Sequence, residues 1–219
     1  MGFHIVNLKN GVLEHEYIRT EKELAFSDKI KEDTIIYQGE ENWKPVRVGD
    51  SEKYKDYCNL DFRAGMKAQQ LFKEQTRRES LMLEEINQDV DSFANYKLDK
   101  TSTRYKRGDF LVRNYRNLEI EVKCKRFYPD KNPKVFYFNV QDILKHTNMQ
   151  ESSQTPIILA IYERSKDGGI IEEPNFVSID MINENKNKLK IEPTNNEDCY
   201  KIPISYLKKG FGFIKEFSW

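Results

Sequence analysis

The sequence has few of the residues that build disulfide frameworks or histidine-rich metal sites. Its 219 residues include three cysteines and three histidines. Cys58, Cys124 and Cys199 are odd in number and show no CxxC spacing, which argues against a disulfide framework or a zinc site. They are typical of free thiols in a reducing compartment, so we expect a cytoplasmic protein.

Long apolar runs and nucleotide-binding loops are also missing. No stretch approaches the roughly 18 apolar residues of a membrane span, and the opening MGFHIVNLKNG shows no secretory signal. Neither GxxxxGK(S/T) nor GxGxxG occurs. We therefore expect no membrane partner and no loop that cradles a nucleotide.

Charge of one sign is not in excess, but charge itself is abundant. Lys and Arg number 36 and Asp and Glu number 36, so the formal net charge is zero. Apolar residues make up only 38% of the chain, yet it contains 13 Phe, 12 Tyr and 2 Trp. These rings can build a core, and zero net charge removes the self-repulsion that keeps disordered chains open. The composition predicts a folded, soluble protein with a charged surface.

The first part of the chain reads as a small β-rich region. Asn10-Gly11 lies between two apolar segments and predicts a hairpin, because both residues tolerate a positive φ. A short strand at 34–37 and a short helix at 21–31 complete the region. We predict a β-rich extension of unknown role over residues 1–57 and an α/β domain over residues 58–219.

The second part alternates helices and strands. Apolar residues spaced by three and four predict one long helix, or two in tandem, from about 60 to 94. A short helix is predicted at 141–146. Pro203 marks the last strand as an edge strand. Strands are predicted at 109–112, 118–125, 135–138, 155–162, 176–179 and 200–207.

Two of these strands carry acids that can converge. Asp109 opens one strand, and Glu121 and Lys123 lie twelve and fourteen residues later on one face of the next, since side chains alternate with a period of two. Two adjacent carboxylates need a cation between them. Hard oxygen ligands suit Mg²⁺ or Mn²⁺. A lysine beside such a metal can orient an attacking water, and this assembly hydrolyses phosphodiesters.

The segments RGDFLV and LEIEVKC, which contain these residues, resemble the PD-(D/E)xK nuclease superfamily. The resemblance covers about residues 62 to 162. It implies a restriction-endonuclease-like fold, with a mixed central sheet flanked by helices. It also implies that Asp109 and Glu121 bind the metal and that Lys123 handles the water. Gly108 departs from the pattern, because the family name has proline there.

Two further residues are assigned by the same resemblance. Glu79 is the candidate for the glutamate that many members carry on the preceding helix, where it assists the metal site; Glu74, Glu84 and Gln69 compete for this role. Gln141 falls on the helix after the third strand, where several members carry a glutamine near the site.

The tripeptide Glu-x-Lys, here Glu121-Val122-Lys123, is by itself weak evidence for a nuclease, because chance alone produces it once or twice in such a chain. A second copy, Glu184-Asn185-Lys186, lies in a polar stretch without a preceding strand and is set aside. An alternative also stays open for the first copy. The charged side chains from Glu119 to Lys125 could form cross-strand ion pairs on a solvated face.

Local charge favours a polyanionic partner. Residues 97–134 carry twelve basic and five acidic residues, a net charge of +7. Cations near paired carboxylates are what a phosphate-cutting site needs, since they hold the nucleic-acid backbone. The residues expected to do so are Arg104, Lys106, Arg107, Lys125 and Arg126.

The sequence therefore predicts a metal-dependent nuclease that acts on DNA. One alternative is a nuclease-like module that binds nucleic acid or protein without cutting, and another is a protein-interaction domain with an incidental charge pattern. RNA as substrate and a homodimeric state are left open. His146 is interpreted as a helix C-terminal cap or a surface residue.

Overall fold

The structure is a computed structural model in which two compact units are distinguished. One comprises residues 1–70 with 166–170, and the other residues 71–165 with 171–219. The predicted domain boundary at residue 57 lies outside the described part of the chain. The described residues are 2–9, 12–30, 34–39, 60–86, 105–129, 133–165, 169–194 and 197–217.

The first unit contains a three-stranded antiparallel sheet of order β2-β1-β3. The hairpin is confirmed by the pairing of Lys9 with Val12, while Asn10 and Gly11 themselves lie outside the described residues. Helix α1 is shorter than predicted, because the chain becomes extended at Ser27. The elements are β1 (Gly2–Lys9), β2 (Val12–Ile18), α1 (Glu21–Phe26) and β3 (Ile35–Gly39).

The long helix predicted from residue 60 to 94 is wrong beyond residue 78. Helix α2 (Leu60–Arg78) ends in a turn at Ser80, which has a φ of 58°. The backbone N–H of Leu81 closes this turn by donating to the carbonyl of Thr76. Strand β4 (Leu83–Glu85) follows at once, and residues 87–104 lie outside the described part.

A six-stranded mixed sheet of order β12-β9-β8-β6-β5-β4 organises the second unit. Its central strands β6 and β8 are parallel, and all its other pairs are antiparallel. Strand β8 is buried along nearly its whole length, as expected for an apolar run covered on both faces. Besides β4, the strands of this sheet are β5 (Phe110–Val112), β6 (Leu118–Arg126), β8 (Ile157–Arg164), β9 (Asn175–Ser178) and β12 (Lys208–Lys209).

A smaller antiparallel sheet has the order β10-β11-β7. The strand that contains Pro203 is its central strand, so the predicted edge position is wrong. Pro203 is the last residue of that strand, where its missing N–H interrupts no further pairing. The strands are β7 (Val135–Asn139), β10 (Lys190–Thr194) and β11 (Glu197–Pro203).

Helices cover both faces of the six-stranded sheet. On one face, Phe72 of α2 packs on Phe110 with ring centroids 5.6 Å apart. On the other, Ile143 of α3 (Val140–Ser153) joins a core cluster with Leu159 and Ile161 of β8. Two short helices follow, α4 (Ile179–Asn185) and α5 (Gly212–Glu216).

This architecture confirms the predicted fold class: α/β, with a mixed central sheet flanked by helices and a small β-rich part at the N-terminal end. Among the residues with described positions, no helix has both the length and the apolar character that crossing a membrane requires.

Candidate active site

The charged face of β6 lies beneath helix α3. Side chains alternate along a strand, so Glu119, Glu121 and Lys123 lie on one face of β6. Leu111 of β5, which pairs with Glu119, lies on the same face of the sheet. Glu119 and Glu121 are each only 1% exposed. The alternative of a solvated face therefore does not describe these two carboxylates.

Asp109 is held against β6 by its own side chain and by its neighbour. Its Oδ2 accepts a hydrogen bond of 2.7 Å from the backbone N–H of Val122, the residue next to Glu121. The Glu119 carboxylate accepts a bond of 2.9 Å from the backbone N–H of Gly108. These two contacts bring the Asp109 carboxylate to the middle of β6.

Gly108 fits a close approach between two backbones. A Cβ at this position would lie 2.8 Å from the carbonyl oxygen of Ile120 and 2.9 Å from its backbone nitrogen. Proline would add this bulk and would also lack the N–H that Glu119 accepts. The departure from the family pattern thus has a structural reason, and it leaves Asp109 in place.

Glu121 receives two ammonium groups on one oxygen. Lys123 forms a close ion pair with Oε1, and the Nζ of Lys106 lies 3.2 Å from the same atom. The other oxygen, Oε2, is buried and has no hydrogen-bond partner within the described structure. The carboxylate is therefore neutralised at one oxygen, while its other oxygen is buried without a hydrogen-bond partner among the described residues.

The two site acids have opposite electrostatic environments. Burial and the charge of Glu121 raise the pKa of Asp109 to about 6. Burial alone would also raise the pKa of Glu121, but the ammonium groups of Lys123 and Lys106 outweigh it and lower that pKa to about 2. Near pH 6, Glu121 is charged while Asp109 still takes up a proton.

Lys106 is an internal cation of the site. Besides Glu121, its Nζ contacts the carboxylate of Asp142 at 2.9 Å. Burial lowers the pKa of Lys106, but the charges of Glu121 and Asp142 outweigh this and raise it above its ordinary value. Lys106 therefore keeps its charge at neutral pH, and it lies in the site instead of at an outer nucleic-acid contact.

His146 is the residue that the sequence interpretation missed. It is fully buried, in the middle of α3, so its assignment as a cap or surface residue is wrong. Its Nδ1 is 2.9 Å from the carbonyl oxygen of Lys106, and its Nε2 is 3.8 Å from Oε1 of Glu121. Burial lowers its pKa. The spacing of Ile143, His146 and Gln150, by three and four, was the signal for a buried face.

Glu79 is not brought to the acid pair. Its carboxylate accepts a hydrogen bond of 2.7 Å from Lys215. The backbone N–H of Ile86 donates to the carbonyl of Asp109, whereas Arg113 pairs with Met82, three residues after Glu79. Glu79 thus precedes the end of β4 that pairs with Val112, whereas Asp109 lies at the opposite end of β5. Its competitor Glu84 is exposed and bonds to Arg113.

The remaining predicted residues surround the site unevenly. The Arg107 guanidinium bonds to Glu119 at 2.7 and 3.0 Å, which leaves it a structural contact as well as a partly exposed cation. Lys125 lies over the ring of Phe138, and burial lowers its pKa. Arg126 and Gln141 are exposed. Arg104 lies outside the described residues.

The donor set limits how a cation could be held. Within the described ranges, no three His, Cys, Asp or Glu side chains gather closely enough to enclose a metal ion. Mg²⁺ commonly binds through one or two carboxylates and completes its shell with water and substrate phosphate. Two acids with one orphaned buried oxygen fit that mode of binding.

Comparisons with known proteins find distant likeness in structure only. No protein-family model matches the chain, and no curated protein matches it. The chain is similar in structure to a nuclease from a fusselovirus, with a TM-score of 0.36 and 12% sequence identity. The match covers 76% of this chain and 90% of the viral protein.

Proposed function

We propose that the protein is a metal-dependent nuclease of the PD-(D/E)xK type that hydrolyses phosphodiester bonds in DNA. The observation that supports this proposal is that Asp109 accepts a hydrogen bond from the backbone N–H of Val122, the residue next to Glu121, while Lys123 contacts the Glu121 carboxylate. A carboxylate pair with split pKa values and an adjacent lysine is a typical arrangement for acid–base work on a bound water.

The residues fit a hard divalent cation. Oε2 of Glu121 is a buried acceptor in need of a partner, and the raised pKa of Asp109 marks a carboxylate whose charge lacks sufficient compensation. Both would hold Mg²⁺ or Mn²⁺ through oxygen. When bound, such a cation supplies charge neutralisation at the phosphoryl oxygens and lowers the pKa of a bound water.

The lysines have separate tasks in this proposal. Lys123 donates to Glu121 and can also donate to a water beside it, which fixes the direction of that water's lone pair. Lys106, tied to Asp142, provides a permanent positive charge toward the negative charge that develops on the phosphate. Asp142 prevents Lys106 from swinging away from the buried acids.

A polyanionic substrate is supported by the local excess of basic residues. The stretch from residue 97 to 134 has a net charge of +7, and its exposed members include Arg126 at the end of β6. Lys125 and Arg126 follow Lys123 along the same strand after Cys124, so they extend the positive charge toward the end of β6.

A second candidate function is a binding module that has lost catalysis. It is favoured by one specific observation: Lys106 and Lys123 already neutralise Glu121 from within the protein. In such a module, the ion pairs of Glu121 with Lys106 and Lys123 would stabilise the fold. DNA binding would be unchanged by chelation of divalent ions.

The experiment that separates the two compares Lys123→Met with Lys209→Met. Lys209 is 72% exposed and pairs with Glu173 on the surface, so it is a matched loss of one charge. We expect Lys123→Met to lower Mg²⁺-dependent DNA cleavage by about 10²-fold or more, and Lys209→Met to leave it unchanged. Both variants should retain the wild-type circular dichroism spectrum.

Equal activity of the wild type and Lys123→Met would reject the catalytic role. An inactive wild-type protein that binds DNA equally in EDTA and in Mg²⁺ would favour the binding module.

A further inference from the structure

Five aromatic side chains lie in the basic stretch whose net charge is +7, and one of them has no role in packing. Phe110 and Phe127 are buried in the core, and Tyr115 is half-buried. Tyr128 packs edge-on against another tyrosine, with ring centroids 5.3 Å apart. Tyr105 is 47% exposed, and among the described residues its side chain has no ring contact or hydrogen bond. Its ring is therefore available to a partner outside the protein.

The backbone just after Tyr105 is fixed against helix α3. The N–H of Lys106 donates a hydrogen bond of 3.3 Å to the carbonyl of Lys145. The carbonyl of Lys106 accepts one of 2.9 Å from Nδ1 of His146, since a carbonyl can only accept. The Cα of Tyr105 lies about 3.8 Å from that of Lys106, so these bonds also hold its backbone in place. A tyrosine on a fixed backbone binds with little loss of conformational entropy, because few of its side-chain torsions can rotate.

Lys106 connects this position to the acid pair. Its Nζ lies 3.2 Å from Oε1 of Glu121, so the exposed ring of Tyr105 is one residue from a cation of the site. Leu144 of α3, which is 50% exposed, precedes the residue whose carbonyl accepts from Lys106. Single exposed apolar residues are common on protein surfaces. Two of them beside a charged site suit a ligand that has both a phosphate and an apolar face.

We propose that Tyr105 stacks on an unpaired base of the DNA strand whose phosphate lies at the acid pair. This inference rests on the proposed function, because it assigns a substrate class to the same site. Inside a duplex, neighbouring bases cover both faces of each base, so a protein ring can stack only on a base that has left the helix. Aromatic stacking also tolerates any base. The favoured substrate is therefore a single strand, or a single-stranded extension of a duplex.

The test compares binding of a labelled single-stranded oligonucleotide with binding of the fully paired duplex of the same sequence. Fluorescence anisotropy measures both with the full chain in Ca²⁺. Tyr105→Leu removes the ring and keeps an apolar side chain, whereas Tyr105→Phe keeps the ring and removes only the hydroxyl. Phe26→Leu is the matched control, because Phe26 is an exposed ring, at 49%, in the other compact unit. Circular dichroism establishes the folded state of each variant.

We expect Tyr105→Leu to weaken binding of the single strand by about 10- to 100-fold and to leave binding of the duplex nearly unchanged. Tyr105→Phe and Phe26→Leu should bind both oligonucleotides as the wild type does. Stacking itself is read from 2-aminopurine placed in the single strand. The wild type and Tyr105→Phe should quench its fluorescence on binding, and Tyr105→Leu should quench it less.

The outcomes separate this inference from the nuclease proposal. Equal weakening for the single strand and the duplex in Tyr105→Leu, or no weakening for either, overturns the stacking role. A loss in Tyr105→Phe as large as that in Tyr105→Leu also overturns it. Both results leave the nuclease intact if the wild type cleaves DNA. Ring-dependent binding of the single strand by a protein that cleaves no DNA supports the stacking role and rejects the nuclease.

Discussion

Asp109 and Glu121 differ at the residue scale: Asp109 is a partly buried acid just before β5, and Glu121 is a fully buried acid in β6. The pKa of Asp109 is raised to about 6, and that of Glu121 is lowered to about 2. The cause is the placement of the lysines, which contact Glu121 and leave Asp109 with one backbone donor. Ionisation of Asp109 therefore lowers the stability of the folded protein, whereas ionisation of Glu121 raises it.

For Asp109→Asn we expect greater stability at alkaline pH. The folded pKa of Asp109 lies above its ordinary 3.8, so the wild type loses stability as pH rises from about 4 to about 6. The amide cannot ionise, yet its oxygen can still accept from Val122. In EDTA at pH 8, the free energy of unfolding from urea titration should rise by roughly 1–3 kcal/mol, and the difference should vanish near pH 4.

Glu121→Gln is the internal control, because we expect it to change the free energy of unfolding in the opposite direction. Its folded pKa is depressed, so its charge stabilises the protein above the ordinary value of 4.5 and that stability is lost as pH falls toward about 2. This variant should be less stable than the wild type at pH 8. A destabilised Asp109→Asn at pH 8 would contradict the electrostatic asymmetry of the pair.

The sequence could predict part of the site because part of it is local. Glu121 and Lys123 lie two residues apart on one strand, and their shared face follows from strand alternation alone. Lys106 and His146 are different: Lys106 reaches Glu121 from the segment before Asp109, and His146 reaches it from α3. The helical spacing of Ile143, His146 and Gln150 indicates a buried face of α3, but it does not tell which residues of the sheet that face contacts.

At the scale of elements, the alternating pattern of β6 identified its strand correctly, whereas the spacing after residue 78 misled. Apolar residues continue at helical intervals past Arg78, but the chain turns at Ser80 and pairs Leu83 with Val112. Pairing with β5 overrides the local pattern there. The prediction that Glu79 is a helix residue near the site depended on a helix continuing past Arg78, and the helix ends there.

The close contact between the 107–109 segment and β6 predicts a sharp difference between two glycines. Gly108→Ala would push a methyl group to 2.8 Å from the Ile120 carbonyl oxygen, whereas Gly65 has open space around it. We expect Gly108→Ala to lower the free energy of unfolding by roughly 1–3 kcal/mol and to reduce cleavage by displacing Asp109.

Gly65→Ala is the matched control in helix α2. It should be neutral or stabilising by up to about 1 kcal/mol, because alanine favours the helix over glycine. Thermal or urea denaturation measures both variants. Equal, small effects of the two substitutions would mean that the segment before Asp109 does not lie against β6 as described.

At the scale of the whole molecule, zero net charge conceals a strongly uneven distribution. The +7 stretch that contains the acid pair must be offset by acids elsewhere in the chain. Part of that stretch lies outside the described residues, so the expected role of Arg104 stays a prediction. Arg126 is exposed at the end of β6 and is available to a polyanion.

Binding of DNA should depend on salt through these exposed cations. We expect Arg126→Gln to reduce the slope of log affinity against log salt concentration by about 1, since one phosphate contact is lost. Lys190→Gln removes an exposed charge from β10 in the smaller sheet and should leave the slope unchanged. Fluorescence anisotropy over a salt series, in Ca²⁺, measures both. An unchanged slope for Arg126→Gln would place the DNA elsewhere.

The most direct test of the account is DNA cleavage by wild type and Asp109→Asn in Mg²⁺, in Mn²⁺ and in EDTA. We predict cleavage by the wild type with either cation and none in EDTA. Asp109→Asn, although folded and at least as stable, should cut no DNA under any of these conditions. Cleavage that persists in EDTA, or in Asp109→Asn with a divalent cation, would contradict a shared metal between Asp109 and Glu121.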